Sequence, residues 1–124
     1  MIKLVFTLRR REGMTREEFQ RYWREQHAPI VKRHAETLRI RRYVQVHARD
    51  TDVDEALSAS RGSEPRAYDG VAELWWDSLD DLMAAYSSEA GQAAGAELLE
   101  DERRFIDLDR SPLWLGEEHA VVGQ

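Results

Sequence analysis

The stretch KLVFTLRRREGMTREEFQRYWREQHAPIV (residues 3–31) decides the fold, because its apolar period changes from two to helical within a few residues. In KLVFTLR (3–9), Leu4, Phe6 and Leu8 fall on one side and Lys3, Val5, Thr7 and Arg9 on the other, as in a strand with one apolar face. Arg10 to Gly13 turn the chain. Thr15 followed by Glu18 makes a capping box, and Met14 and Phe19 stand where a hydrophobic staple would, so a helix begins here. Phe19, Tyr22, Trp23, His27 and Ile30 then recur at helical spacing. Pro29 has no N–H to return to the Glu25 carbonyl. The helix is therefore expected to break or kink around His27 and Ala28, with Pro29 in the first turn of a second segment over about 29–37.

Working outward, LRIRRYVQVH (38–47) predicts a second strand, with Ile40, Arg42, Val44 and Val46 on one face and Arg41, Tyr43, Gln45 and His47 on the other. Residues 48–69 are polar and patternless, long for a loop in a compact domain, with a short helix expected over 53–60. GVAELWWD (70–77) predicts a third strand: Val71, Glu73 and Trp75 oppose Ala72, Leu74 and Trp76. Ser78 caps a short helix with Leu79, Leu82, Met83 and Tyr86 expected inward. A second helix runs from about Glu89 to Arg104, its Gly91 and Gly95 allowing close approach to a neighbour. PLWLGEEHAVV (112–122) predicts the last strand, with a bulge or bend at Gly116.

The order β-α-β-β-α-β defines a ferredoxin-like α+β fold: a four-stranded antiparallel sheet with helices on one face. The other face is expected to carry Val5, Thr7, Tyr43, Val71 and Trp75, too apolar to leave in water. A second copy packed sheet to sheet would cover it, which predicts a homodimer with the form of a dimeric α+β barrel.

The 124 residues make one domain, 1–124. Cysteine is absent, which excludes disulfides and thiolate chemistry. The net charge of −6, split as +7 over residues 1–50 and −13 over 51–124, argues against nucleic acid as the main partner. The first apolar run is short and is followed, not preceded, by arginines, unlike a secretion signal, and no run approaches the ~20 apolar residues of a membrane span. A soluble, cytoplasmic protein is expected. There is no phosphate-binding glycine loop and no HExxH. His27 and His34 lie seven apart across a proline, and no pair has a metal-ligand spacing, so no metal site is expected.

His27 is the first candidate for chemistry. It sits among aromatics on the sheet-facing side of its helix, where partial burial keeps an imidazole neutral and able to take a proton. The competing reading is a core histidine that satisfies the proline kink. Tyr43 and Glu73, placed on mixed faces of neighbouring strands, are candidates to polarise or protonate a carbonyl oxygen. Trp23, Trp76, Phe105 and Trp114 are candidates to line an apolar pocket for an aromatic ring. His47 and His119 are expected at the surface.

The segments GMTREEFQRYWREQHAPIV (13–31), YDGVAELWWDSLDDLMAAY (68–86) and ERRFID (102–107) resemble the EthD family of the dimeric α+β barrel superfamily, over about residues 2–121. Trp23-x-x-x-His27-Ala28-Pro29 is the most specific element. The resemblance implies a cofactor-independent enzyme of secondary or aromatic metabolism that performs isomerisation, cyclisation or dehydration on a small cyclic or polyketide-like substrate. No local signal for haem accompanies it. The alternatives are cofactor-free oxygenation of a phenol or anthrone, and a non-catalytic dimeric binding or accessory protein.

Overall fold

The computed structural model describes residues 1–123. The chain order is β1 (Ile2–Leu8), α1 (Arg16–Tyr22), a π-helical turn (Trp23–His27), α2 (Ala28–His34), β2 (Arg42–His47), α3 (Asp52–Ser60), β3 (Gly70–Trp76), α4 (Leu79–Ser87), α5 (Glu89–Glu102), a 3₁₀ turn (Leu108–Arg110) and β4 (Leu113–Glu117). The strands form one sheet in the order β2-β3-β1-β4, and every neighbouring pair is antiparallel. This is the ferredoxin-like α+β architecture.

The Thr15–Glu18 capping box starts α1, with the Thr15 side chain accepting from the Glu18 N–H at 3.1 Å. Pro29 does not break the helix. The chain widens by one residue instead, so that Ala28 N–H bonds to the Trp23 carbonyl, and the helix runs on through a π turn. Such insertions re-aim the side chains they carry and occur often at functional sites. Here they are Trp23 and His27, both buried.

Register fixes the two sheet faces, since residues paired across an antiparallel ladder point the same way. Leu4 pairs with Leu74, Leu74 with Tyr43, and Phe6 with Leu113. These face the helices. Val5, Glu73, Val44 and Trp114 share the opposite face. The sequence reading of β2 is thus inverted: Tyr43 and Gln45 face the core, and Val44 and Val46 face outward. The physical reason lies in the π turn, whose Trp23 carbonyl accepts from Gln45 Nε2 at 3.0 Å, so the polar side of β2 is satisfied inside. Half-buried His47 stacks on Trp23 with ring centroids 4.5 Å apart, so it is not the surface residue expected.

Other boundaries differ as well. Leu38 to Ile40 belong to the turn after α2, where Arg39 takes a left-handed backbone (φ 58°). β4 ends at Glu117, and Gly116 pairs regularly with Lys3, with no bulge. On α4 it is Ala85 that is buried, while Leu79 and Met83 are exposed. This helix is held by its cap and by α5: a Cβ on Gly91 would lie 1.7 Å from the Ala85 carbonyl oxygen.

The core under the sheet contains Phe6, Leu8, Phe19, Trp23, Leu74, Trp76, Phe105 and Ile106, flanked by Val31, Leu38, Ala94 and Leu98. Asp69 clamps the other end of the fold. Its carboxylate accepts from the Arg10 N–H at 2.8 Å, Arg10 Nη1 at 2.6 Å and Arg16 Nε at 3.0 Å.

Candidate functional site

An apolar cavity of about 160 Å³ lies between the sheet and the helices. Its walls are mainly Leu4, Phe6, Leu74, Val31, Leu98 and Ile106, and Trp23, His27, Tyr43, Tyr86 and Glu102 bring polar atoms to it. The elements that deliver these groups are the π turn, the start of β2, the end of α4 and the last turn of α5.

His27 is 5% exposed. Its Nδ1 lies 2.7 Å from Asp101 Oδ2. The other carboxylate oxygen of Asp101 accepts from the Tyr22 O–H at 2.6 Å and from Arg104 Nη1 at 3.0 Å. Burial pushes the His27 pKa below its ordinary value, and contact with Asp101 only partly offsets this. Burial alone would raise the Asp101 carboxyl, but the bonds from Tyr22, His27 and Arg104 outweigh it and hold the carboxylate ionised. A neutral imidazole beside a fixed carboxylate donates from Nδ1, which leaves the Nε2 lone pair as the proton acceptor. No hydrogen bond engages Nε2 among the described residues. Phe105 packs against the His27 ring at 5.0 Å and holds its plane.

Tyr43 accepts at its hydroxyl from Gln45 Nε2 at 2.8 Å, which leaves its own O–H free to donate. Burial pushes its pKa up to about 12, so it keeps that proton. Glu102 follows Asp101 on α5 and lines the cavity. Burial, reinforced by the neighbouring Asp101 charge and opposed by Arg103, raises its pKa to about 7. Tyr86 is raised by burial and by Glu102.

Of the residues singled out in the sequence, His27, Tyr43 and Trp23 meet at this cavity. Four do not line it. Glu73 is on the outer sheet face, ion-paired with Lys3. Trp76 is buried in the core, its Nε1 donating to the Leu38 carbonyl at 2.8 Å. Phe105 is fully buried behind His27. Trp114 is half exposed on the outer face beside Val5. Trp75, expected bare on that face, is 5% exposed because Lys3 and Arg42 lie over its ring.

Asp101 and Glu102 were missed, yet α5 carried a signal for both. In the stripe Ala94, Leu98, Asp101 and Phe105, a carboxylate stands at a core position, and Leu98, Glu102 and Ile106 follow at four-residue spacing. A charged residue in the inward stripe needs a partner, and His27 is that partner.

A ferredoxin-like α+β sheet that covers an apolar cavity carrying a histidine–aspartate pair defines the class. Within it, the model of the EthD domain matches residues 11–109, and the chain belongs to the EthD family. Among solved structures, it is similar to an EthD family protein from Bacillus halodurans, with 18% identity, TM-score 0.64 and coverage of 96% of this chain and 99% of that one. A dimeric protein of unknown function and ferredoxin-like fold from Bacteroides fragilis is 14% identical, with TM-score 0.58 and coverage of 94% and 95%. SnoaB, a cofactor-independent oxygenase from Streptomyces nogalater, is 14% identical, with TM-score 0.58 and coverage of 99% and 97%. These identities speak to the fold. A search of curated proteins finds no match. Among the described residues no helix is long and apolar enough to cross a membrane, and no three His, Asp or Glu side chains converge as metal ligands.

Proposed function

We propose that this protein is an enzyme that moves a proton next to a carbonyl group on a small, mostly apolar cyclic substrate, in isomerisation, cyclisation or dehydration. The observation that carries the reading is His27: a buried imidazole, oriented by Asp101 through Nδ1, on the wall of an apolar cavity. Nε2 takes the proton from carbon and later returns it. Asp101 fixes the tautomer and stabilises the imidazolium that forms, as the carboxylate does in any such pair. Tyr43 donates to the carbonyl oxygen. Trp23 and the aliphatic wall exclude water, which strengthens both interactions.

A homodimer through the outer sheet face belongs to this reading. Val46 and Trp114, 46% and 52% exposed there, leave apolar surface for a second copy to bury. One of the similar folds is described as dimeric.

Cyclohexanone in D₂O tests the reaction without knowledge of the natural substrate. The protein is expected to accelerate exchange of its α-hydrogens, followed by proton NMR, and His27→Gln to slow that exchange by about 10²-fold or more, the usual contribution of a general base. Exchange at the buffer rate with native protein, or undiminished exchange with the variant, refutes the reading. A second reading shares the first step: with an electron-rich phenol, the deprotonated substrate would react with oxygen. The likeness to a cofactor-independent oxygenase favours it, and oxygen consumption separates the two.

A further inference from the structure

Glu102 is the carboxyl group on the cavity wall, and among the described residues no side chain engages it. Asp101, next to it, receives three hydrogen bonds, whereas among the described residues the Glu102 carboxyl has neither hydrogen bond nor ion pair. A carboxyl group left facing an apolar cavity without a partner is costly to ionise and available to a guest.

The rest of the lining restricts the guest. No lysine or arginine lines the cavity, so an anion entering it would meet the Glu102 carboxyl with no cationic side chain on the walls. The volume, about 160 Å³, is close to that of an engineered apolar cavity of roughly 150 Å³ that holds benzene. It suits one six-membered ring with small substituents.

We propose that Glu102 is the second proton-handling group of this site, and that the site takes an uncharged single-ring carbonyl compound whose oxygen receives the Glu102 proton. The proposal rests on reading the cavity as the reactive site. In the step it completes, the α-carbon's C–H bond breaks, its proton passes to His27 Nε2, and its electron pair forms the C=C bond. The carbonyl π pair moves onto oxygen, which takes the proton from Glu102. Reversal at another carbon returns both protons and completes an isomerisation. Tyr43 has no part in that transfer; it donates a hydrogen bond and keeps its proton.

The groups around Glu102 are Tyr43 from β2, Tyr86 from α4, His27 from the π turn, and Asp101 and Arg103 from its own helix. Both tyrosines stay protonated, and His27 stays neutral above its lowered pKa. Glu102 is then the group that changes charge between about pH 6.5 and about pH 8.5. The acid form donates to a ketone oxygen and the carboxylate cannot, so affinity for a ketone falls as pH rises.

Cyclohexanone and cyclohexanecarboxylate serve as probes, titrated against the native chain and followed through the Trp23 indole N–H by NMR. Cyclohexanone is expected to bind about fivefold more weakly at the upper pH, the worth of one such hydrogen bond. Glu102→Gln, which donates at every pH, removes the dependence. At the upper pH the carboxylate probe is expected to bind at least tenfold more weakly than the ketone. In case the variant folds poorly, a second measurement uses the native chain: saturating cyclohexanone is expected to move the Glu102 carboxyl titration upward by ¹³C NMR. No ketone binding, a pH dependence kept in Glu102→Gln, equal binding of the carboxylate, or an unmoved titration overturns the proposal. None of these readouts requires catalysis, so loss of α-hydrogen exchange alone would count against His27 as base and not against Glu102.

Discussion

Replacing Asp101 by asparagine changes one atom and tests how the site is wired. The carboxylate accepts from His27 Nδ1 at 2.7 Å, Tyr22 at 2.6 Å and Arg104 at 3.0 Å. The asparagine oxygen can still accept from Tyr22 and Arg104, now without charge, and its amide presents a donor to His27. The imidazole must turn over to the tautomer with Nε2–H, which has no lone pair facing the cavity. A comparable substitution in a serine protease triad costs about 10⁴-fold, and a loss of at least 10²-fold in cyclohexanone exchange is expected here. Hydrogen bonds to a charged group exceed neutral ones by roughly 1 kcal/mol each, so the change should destabilise the fold by about 2–3 kcal/mol. At roughly 4 °C per kcal/mol for a domain of this size, that lowers Tm by about 8–12 °C. Because Asp101 also supports the charged imidazole, the His27 pKa should fall further. Proton NMR of exchange, calorimetry and imidazole ¹⁵N shifts measure the three effects. A variant that keeps full exchange, or that changes Tm without changing the tautomer, would refute the reasoning.

Asp69→Ala should cost about 2–3 kcal/mol in urea, since it strips a buried acceptor from two partly exposed arginines. Burial would raise the Asp69 pKa, but the Arg10 N–H and the two guanidinium groups lower it overall. The stability from Asp69 is therefore full above the ordinary aspartate range and is lost as pH falls through the folded value; the variant should show a shallower acid limb. Gly91→Ala, whose Cβ would collide with the Ala85 carbonyl, should force α4 from α5 and lower Tm by several degrees in a thermal melt. Trp114→Glu should shift the sedimenting species from dimer to monomer while leaving the circular dichroism of the fold unchanged; an unaltered dimer would place the interface elsewhere.

The architecture was legible because period and caps agree: KLVFTLR alternates, Thr15 and Glu18 close a box, and Ser78 caps α4. His27 was legible as a lone histidine among inward aromatics. The face of β2 was not. Tyr43, Gln45 and His47 look like an outer side until Gln45 is seen bonded to a helix carbonyl that the π turn presents. That turn answers the constraint of Pro29, and local sequence says that something must yield there but not that the chain yields by adding a residue. Glu73 followed the same error: once β2 is inverted, the mixed side of β3 pairs with Lys3 and Arg42 outside the cavity. The partner of His27 comes from 74 residues along the chain, and its charge in an inward stripe was the available hint.

The ¹⁵N shifts of the His27 ring, followed across pH with and without cyclohexanone, test the centre of this account. The expected spectrum at neutral pH has a protonated Nδ1 and a bare Nε2, a titration midpoint below that of free histidine, and an Nε2 signal that moves when the ketone is added. A protonated Nε2, a midpoint above the ordinary value, or an Nε2 indifferent to the ketone would contradict it.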